Sequence, residues 1–244
     1  GQEVGQRVVT WAQANPPGLA PVDELNGGEG AWAGVNPIGA NFGNSPTWAM
    51  SSPDEFRPVP PLAFGSDELE AEMQELRDME RTMRTSVFSR YWEFGSGAFQ
   101  DNLRYTQIAS TLIWEYGWDA NPPRGALVYA AMHIAGYDAT VAHFEAKYHY
   151  MAIRPFQYDP TFQTVIPTPN HPSYPSAHSV ISMAMLATLG ELFPQDTEYL
   201  IAISQQGGEA RLWAGVHFRH DIVAGEEMGR QIADKVLLSF GDID

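Results

Sequence analysis

Val180-Ile-Ser-Met-Ala-Met-Leu-Ala-Thr-Leu-Gly-Glu-Leu-Phe193 is the most apolar stretch of this 244-residue sequence. It falls short of the roughly 20 apolar residues that cross a bilayer, and Ser182 and Glu191 interrupt it. Pro175 before it and Pro194 after it stop a helix from running on. The stretch therefore predicts a buried helix over 176–192. Outward from it, further helices are expected over 97–116, 124–148, 196–212 and 217–239, separated by Pro122-Pro123, Pro155, Pro160 and the proline-rich segment 167–175. Ser66-Asp67-Glu68 reads as another helix start, followed by Leu69, Met73, Leu76 and Met83 at helical spacing to about Thr85. Residues 1–65 are rich in turn chemistry, such as Asn15-Pro16-Pro17-Gly18 and Asn26-Gly27-Gly28, with the end of a helix over Val4–Ala14. No strand alternation and no short repeat is visible. The expectation is an all-α helical bundle over 66–244, with an irregular N-terminal arm over 1–65 packed on it.

Hydrophobic residues make up 44% of the chain and charged residues 18%, which suits a globular body. The formal charge of −16 repels phosphate backbones and anionic lipid, so neither nucleic acid nor a membrane is an expected partner. With no cysteine, disulfides, thiolate metal sites and cysteine nucleophiles are excluded. Gly1 is not a natural start and reads as the beginning of a trimmed or processed product. The protein is expected to be soluble.

Chemistry concentrates in Lys147-Tyr-His-Tyr-Met-Ala-Ile-Arg154-Pro155, Pro175-Ser176-Ala177-His178 and Arg211-Leu-Trp-Ala-Gly-Val-His217-Phe-Arg-His-Asp221. Lys147 is one of only two lysines in the chain. Two guanidiniums and an ammonium can grip several oxygens of one anion from different directions. Ser176 and the amide of Ala177 stand at an expected helix start, where unpaired N–H groups favour an anion. Asp221 lies four residues after His217, so its carboxylate can fix the imidazole tautomer and leave the other nitrogen as nucleophile or metal ligand.

The order and spacing of these segments resemble the signature of the superfamily of vanadium haloperoxidases and type 2 phosphatidic acid phosphatases: Lys-x6-Arg-Pro, Pro-Ser-Gly-His, and Ser-Arg-x5-His-x3-Asp. The match spans 147–221, and softer similarity to soluble bacterial haloperoxidase-like proteins extends through much of the chain. The resemblance implies a vanadate cofactor, with phosphate able to occupy the same site. Lys147, Arg154, Ser176, Ala177, His178 and Arg211 would hold the oxyanion, His217 would be the axial ligand to vanadium, and His178 the acid–base group. Ala177 stands where the family has glycine and Ala210 where it has serine, which touches tuning more than binding. His171, seven residues before His178, resembles the bromoperoxidase branch and implies a part in halide oxidation. The implied reaction is oxidation of halide, bromide first, by hydrogen peroxide to hypohalous acid. A soluble acid phosphatase, hydrolysing phosphate monoesters through a phosphohistidine, is the alternative, and a non-catalytic oxyanion-binding protein is a third. Family analogy adds secretion or a periplasmic location, and a homodimer.

The remaining candidates read as structural. His133 and His143 are ten residues apart, not the four of a helical zinc pair. His149 reads as structural and His220 as a solvent-facing neighbour. Phe144, Tyr148, Tyr150 and Trp213 read as packing residues. The acidic run 67–80 reads as a solvated helix face that lacks the spacing of a calcium loop.

Overall fold

The computed structural model describes residues 1–18, 22–93 and 99–241, with the backbone alone over 99–102. Among them the chain forms nine α-helices and one small sheet, in the order α1 (Gln2–Ala14), β1 (Glu24–Asn26), β2 (Ala33–Val35), α2 (Asp67–Asp78), α3 (Met83–Tyr91), α4 (Phe99–Glu115), α5 (Pro122–Tyr150), α6 (Pro155–Tyr158), α7 (Ala177–Leu192), α8 (Thr197–Ala214) and α9 (Arg219–Phe240). The fold is all-α. The expected helix start at Gly97 lies outside the described residues.

α7 is the apolar stretch of the sequence, and it is buried nearly all round, as a helix without a polar face must be. It packs against α5, α8 and α9. The approach of α9 is close because Gly225 and Gly229 sit one turn apart on its inner face. A Cβ at Gly225 would lie 2.7 Å from Ser179 Cβ and 2.9 Å from the Ser176 carbonyl oxygen; one at Gly229 would lie 2.6 Å from the Val180 carbonyl oxygen. This seam holds the start of α9, and with it Asp221, against the start of α7: the Ser176 amide donates to the Asp221 carbonyl at 2.9 Å.

The single helix expected from Ser66 to about Thr85 is two. α2 stops at Asp78, and α3 begins after Thr82, whose hydroxyl accepts from the Thr85 amide. Met79 and Met83 continue the apolar spacing across the break, so periodicity alone could not reveal it.

The helix end expected over Val4–Ala14 is α1, and the arm also carries a three-residue antiparallel pairing of β1 with β2 and a 3₁₀ turn at Phe42–Asn44, which were not expected. Strands this short leave too few residues for alternation to show. The arm is fastened to α5 by Asp138, a buried carboxylate that accepts from the Trp48, Ala49 and Met50 amides at 2.8, 2.8 and 3.1 Å. Burial pushes the Asp138 carboxyl up, against those three amides, which favour its charged form. Arg57 pairs with Glu145, and the hydroxyl of Tyr150 donates to the Pro58 carbonyl.

Candidate active site

Lys147 lies in the last turn of α5, and Arg154 stands immediately before α6, where Pro155 supplies a ready-made first helical residue. Between them Met151 turns the chain with φ at +50°. The arm steadies this turn: Trp32 donates its amide to the Met151 carbonyl at 2.7 Å, and Ala31 bridges to Ala152. Ala152 in turn accepts from the Ser173 amide at 3.0 Å, tying the turn to the loop that leads into α7.

The cations then meet. Lys147 Nζ donates to the carbonyls of Pro172, Ser173 and Pro175 at 2.9, 2.7 and 2.6 Å, which occupies all three of its hydrogens. Arg154 donates from Nε to the His171 carbonyl, from Nη1 to the Val216 carbonyl and His217 Nε2, and from Nη2 to His171 Nδ1, at 2.9, 2.5, 3.0 and 3.0 Å. Arg211 reaches the Ser89 carbonyl of α3 at 2.9 Å. Lys147 and Arg154 are both 0% exposed, and Arg211 2%. Among the described residues the buried acids are Asp138, committed to the arm, and Asp221. Two fully buried cations therefore face one buried carboxylate even before Arg211 is counted. Burial pushes Lys147 well below the usual lysine range and Arg154 down to about 10, and each feels the charge of Asp221 in the opposite sense.

His217 sits just before α9, between Arg154 and Asp221. Its Nδ1 is 2.9 Å from Asp221 Oδ2, and its Nε2 is 3.0 Å from Arg154 Nη1. A guanidinium can only donate, so Nε2 carries the lone pair and Nδ1 the proton. Burial, with the Arg154 charge beside it, holds His217 well below the ordinary imidazole value, so the ring is neutral. Asp221 Oδ2 also accepts from Ser173 Oγ at 2.6 Å and from the Phe218 amide at 3.0 Å. Burial would raise this carboxyl, but its hydrogen bonds and the neighbouring His220 charge outweigh that and hold it at about 2.

His178, in the first turn of α7, places Nε2 3.0 Å from the Trp92 carbonyl; a carbonyl accepts, so Nε2 carries the proton. Burial, then the charges of Arg211, Lys147 and Arg154, push it well below the ordinary imidazole value. Ser176, immediately before α7, has a buried hydroxyl with no hydrogen-bond partner, and it does not cap the helix. A buried hydroxyl without a partner is costly, and here it stands at a helix start that favours an anion. His171 is buried with its ring edge-on to Phe144 at 5.8 Å. Its Nδ1 lies 3.1 Å from the Pro172 carbonyl and 3.0 Å from Arg154. Only the guanidinium must donate, so we assign Nδ1 the lone pair and His171 a hold on Arg154. Burial, with the charges of Lys147 and Arg154, keeps this ring neutral too.

The three segments are thus brought together, with Lys147 turned to carbonyls and His171 to Arg154. His220 is corrected: it does not face solvent but is largely buried, bonded to Glu72 and stacked on Tyr174 at 5.4 Å. Ser173, inside the His171–His178 segment, was missed although it bonds Asp221. His143 is buried one turn before Lys147 with Nδ1 unpartnered, and burial and the Lys147 charge push it well down. Only its helical spacing from Lys147 hinted at that position. Among the described residues no group of three or more His, Asp or Glu could hold a metal cation.

Fold and site together define a helical protein that sets buried cations and a carboxylate-oriented histidine around the start of one central helix. Residues 125–233 match the family model of the PAP2 superfamily. A bacterial vanadium-dependent iodoperoxidase superposes with a TM-score of 0.83 at 20% identity, covering 97% of this chain and 67% of that one. A holo-type bacterial vanadium-dependent chloroperoxidase gives 0.62 at 15%, covering 91% and 60%. A transmembrane PAP2-type phosphatidylglycerolphosphate phosphatase from Bacillus subtilis gives 0.53 at 16%, covering 74% and 90%. At these identities the likeness is one of fold, and the chain spans only 60–67% of the two haloperoxidases' length. No helix among the described residues is long and apolar enough to cross a membrane.

Proposed function

We propose that this chain is a vanadate-dependent haloperoxidase, oxidising halide with hydrogen peroxide to hypohalous acid. The observation that carries the reading is the excess of buried positive charge, Lys147 and Arg154 against Asp221, beside a neutral His217 whose Nε2 lone pair faces Arg154 and would turn to an anion once that guanidinium bonds the anion instead. Uncompensated buried cations are costly, and an oxyanion at this place would neutralise them. The donor set fits vanadate or phosphate: Arg154, Arg211, the Ser176 hydroxyl, the Ala177 amide and His178 would hold oxygens, and His217 Nε2 would be the apical ligand. Lys147 lends its charge, and reaches an oxygen by exchanging one of its three carbonyl partners. Bound vanadate would supply a Lewis acid that polarises peroxide toward attack by halide. Asp221 keeps the His217 proton on Nδ1, and His178 can give or take a proton at the anion's edge.

The likeness to the iodoperoxidase over 97% of the chain, arm included, supports a haloperoxidase over a phosphatase. The phosphatase reading keeps one support, since the same lone pair on His217 serves in-line attack on phosphorus. The test is calorimetric titration of orthovanadate and of phosphate into the chain and into His217→Ala. We expect both anions to bind one site and vanadate binding to vanish in the variant. Unchanged vanadate affinity in His217→Ala would remove the apical assignment.

A further inference from the structure

We propose that Glu72 and His220 are positioning residues for the Asp221–His217 pair, so that helix α2 sets the orientation of the apical histidine. This rests on the reading of His217 given above. Glu72 projects from α2 onto the first turn of α9. Its two carboxylate oxygens each accept from the His220 amide at 3.1 Å, and Oε2 lies 2.6 Å from His220 Nδ1. The far nitrogen of the same ring, Nε2, is 3.4 Å from Asp221 Oδ1. That oxygen makes no hydrogen bond of its own, whereas Oδ2 is crowded by His217, Ser173 and the Phe218 amide.

Nδ1 donates to Glu72, while Nε2 stands at ion-pair distance from Asp221 without a formed hydrogen bond, so a carboxylate flanks each side of the ring and the pair favours its charged form. The ring cannot easily turn away, because it stacks on Tyr174 at 27° and on Phe218 at 21°. Glu72 also completes the start of α9, where a carboxylate is favoured by the unpaired amides and the helix dipole. The groups that bear on Asp221 are therefore His220 on one oxygen, His217 and Ser173 on the other, and the charges of Lys147 and Arg154. Arg219, with Glu75 and Glu209, forms a separate ion-pair cluster along the α2–α9 contact. His220 balances Asp221 from one side, which limits how strongly Asp221 draws the Nδ1 proton of His217. Without that cation the Asp221–His217 bond tightens and the ring loses its set position.

The experiment compares Glu72→Gln, His220→Phe and Glu75→Gln with the parent chain. Glu72→Gln keeps an acceptor for the His220 amide but removes the charge; His220→Phe keeps the stacking but removes both donors. Glu75→Gln breaks the neighbouring ion pair alone. One readout is the proton chemical shift of His217 Nδ1–H, and the other is the Kd for inorganic phosphate. We expect Glu72→Gln and His220→Phe each to move the His217 resonance downfield and weaken phosphate about tenfold, as loss of an outer partner of a metal-ligating histidine does. Glu75→Gln should change neither. An unmoved His217 signal in Glu72→Gln or His220→Phe, or an equal shift in Glu75→Gln, would overturn the proposal. If the parent chain fails to bind phosphate, the oxyanion reading fails, while the His217 shift still decides this inference.

Discussion

His217 has a single tautomer open to it, because Arg154 can only donate and Asp221 can only accept at the distances found. The same reasoning gives His171 a part that sequence spacing did not. The resemblance implied a part in halide oxidation, and the structure puts its Nδ1 on the guanidinium of Arg154. His171→Ala should therefore loosen Arg154 and weaken vanadate affinity and halide oxidation together, by about tenfold. Steady-state bromination read beside a vanadate titration checks this. Oxidation lost while affinity holds would return the ring to contact with halide. Asp221→Asn should act one atom further out. An amide in place of the carboxylate leaves the His217 proton without a charged acceptor, and phosphate affinity measured by calorimetry should drop by a comparable factor.

At the scale of elements, the seam between α7 and α9 is what aims the site. Gly225→Ala would set a methyl group 2.9 Å from the Ser176 carbonyl, which the first turn of α7 cannot vacate without moving Ser176 and Asp221 apart. Overpacking of this kind costs about 1–3 kcal/mol. Urea unfolding should show that loss, accompanied by weaker phosphate binding; a stable variant with unchanged binding would mean the seam is loose. Much of this layer was legible beforehand. α5, α7, α8 and α9 are long, α5 opens on Pro122-Pro123 and the other three stop at or just before proline or glycine, and the signature residues fall at their ends. The α2–α3 break was not legible, because apolar spacing runs through it and only the capping by Thr82 marks it. Nor was the part of α2 in the site. Glu72 belongs to an acidic helix face that composition alone reads as solvated, and it meets His220 across 148 residues of chain.

For the whole molecule, burying neutral histidines makes stability depend on pH. His143, His171, His178 and His217 are all held well below their ordinary value of 6.5, chiefly by burial. As pH falls below 6.5 the unfolded chain takes up protons that the folded chain refuses, so stability drops. Asp221 adds a further loss between 3.8 and about 2, where its depressed carboxyl is protonated. His220 runs the other way. Burial works against its charge, but Glu72 and Asp221 raise its value, so its contribution is present below 6.5 and fades as pH rises past the folded value. His133 is lowered by burial as well, so the histidines held down outnumber His220 and leave a net decline toward acid, which urea denaturation in phosphate-free buffer at neutral and mildly acid pH should record. A saturating oxyanion should restore stability, by about 2.7 kcal/mol at a hundredfold excess over its Kd. Thermal unfolding with and without phosphate checks that gain, and no rise would leave the buried charge unanswered.

The most direct measurement is bromination of a chlorinated dione reporter with bromide and hydrogen peroxide, before and after orthovanadate is added in phosphate-free buffer. The expected result is bromination that appears only with vanadate and is suppressed by excess phosphate, placing both anions on one cluster around His217. Vanadate shown to be bound, with no bromination, would contradict the haloperoxidase account and move the same residues to phosphate ester chemistry.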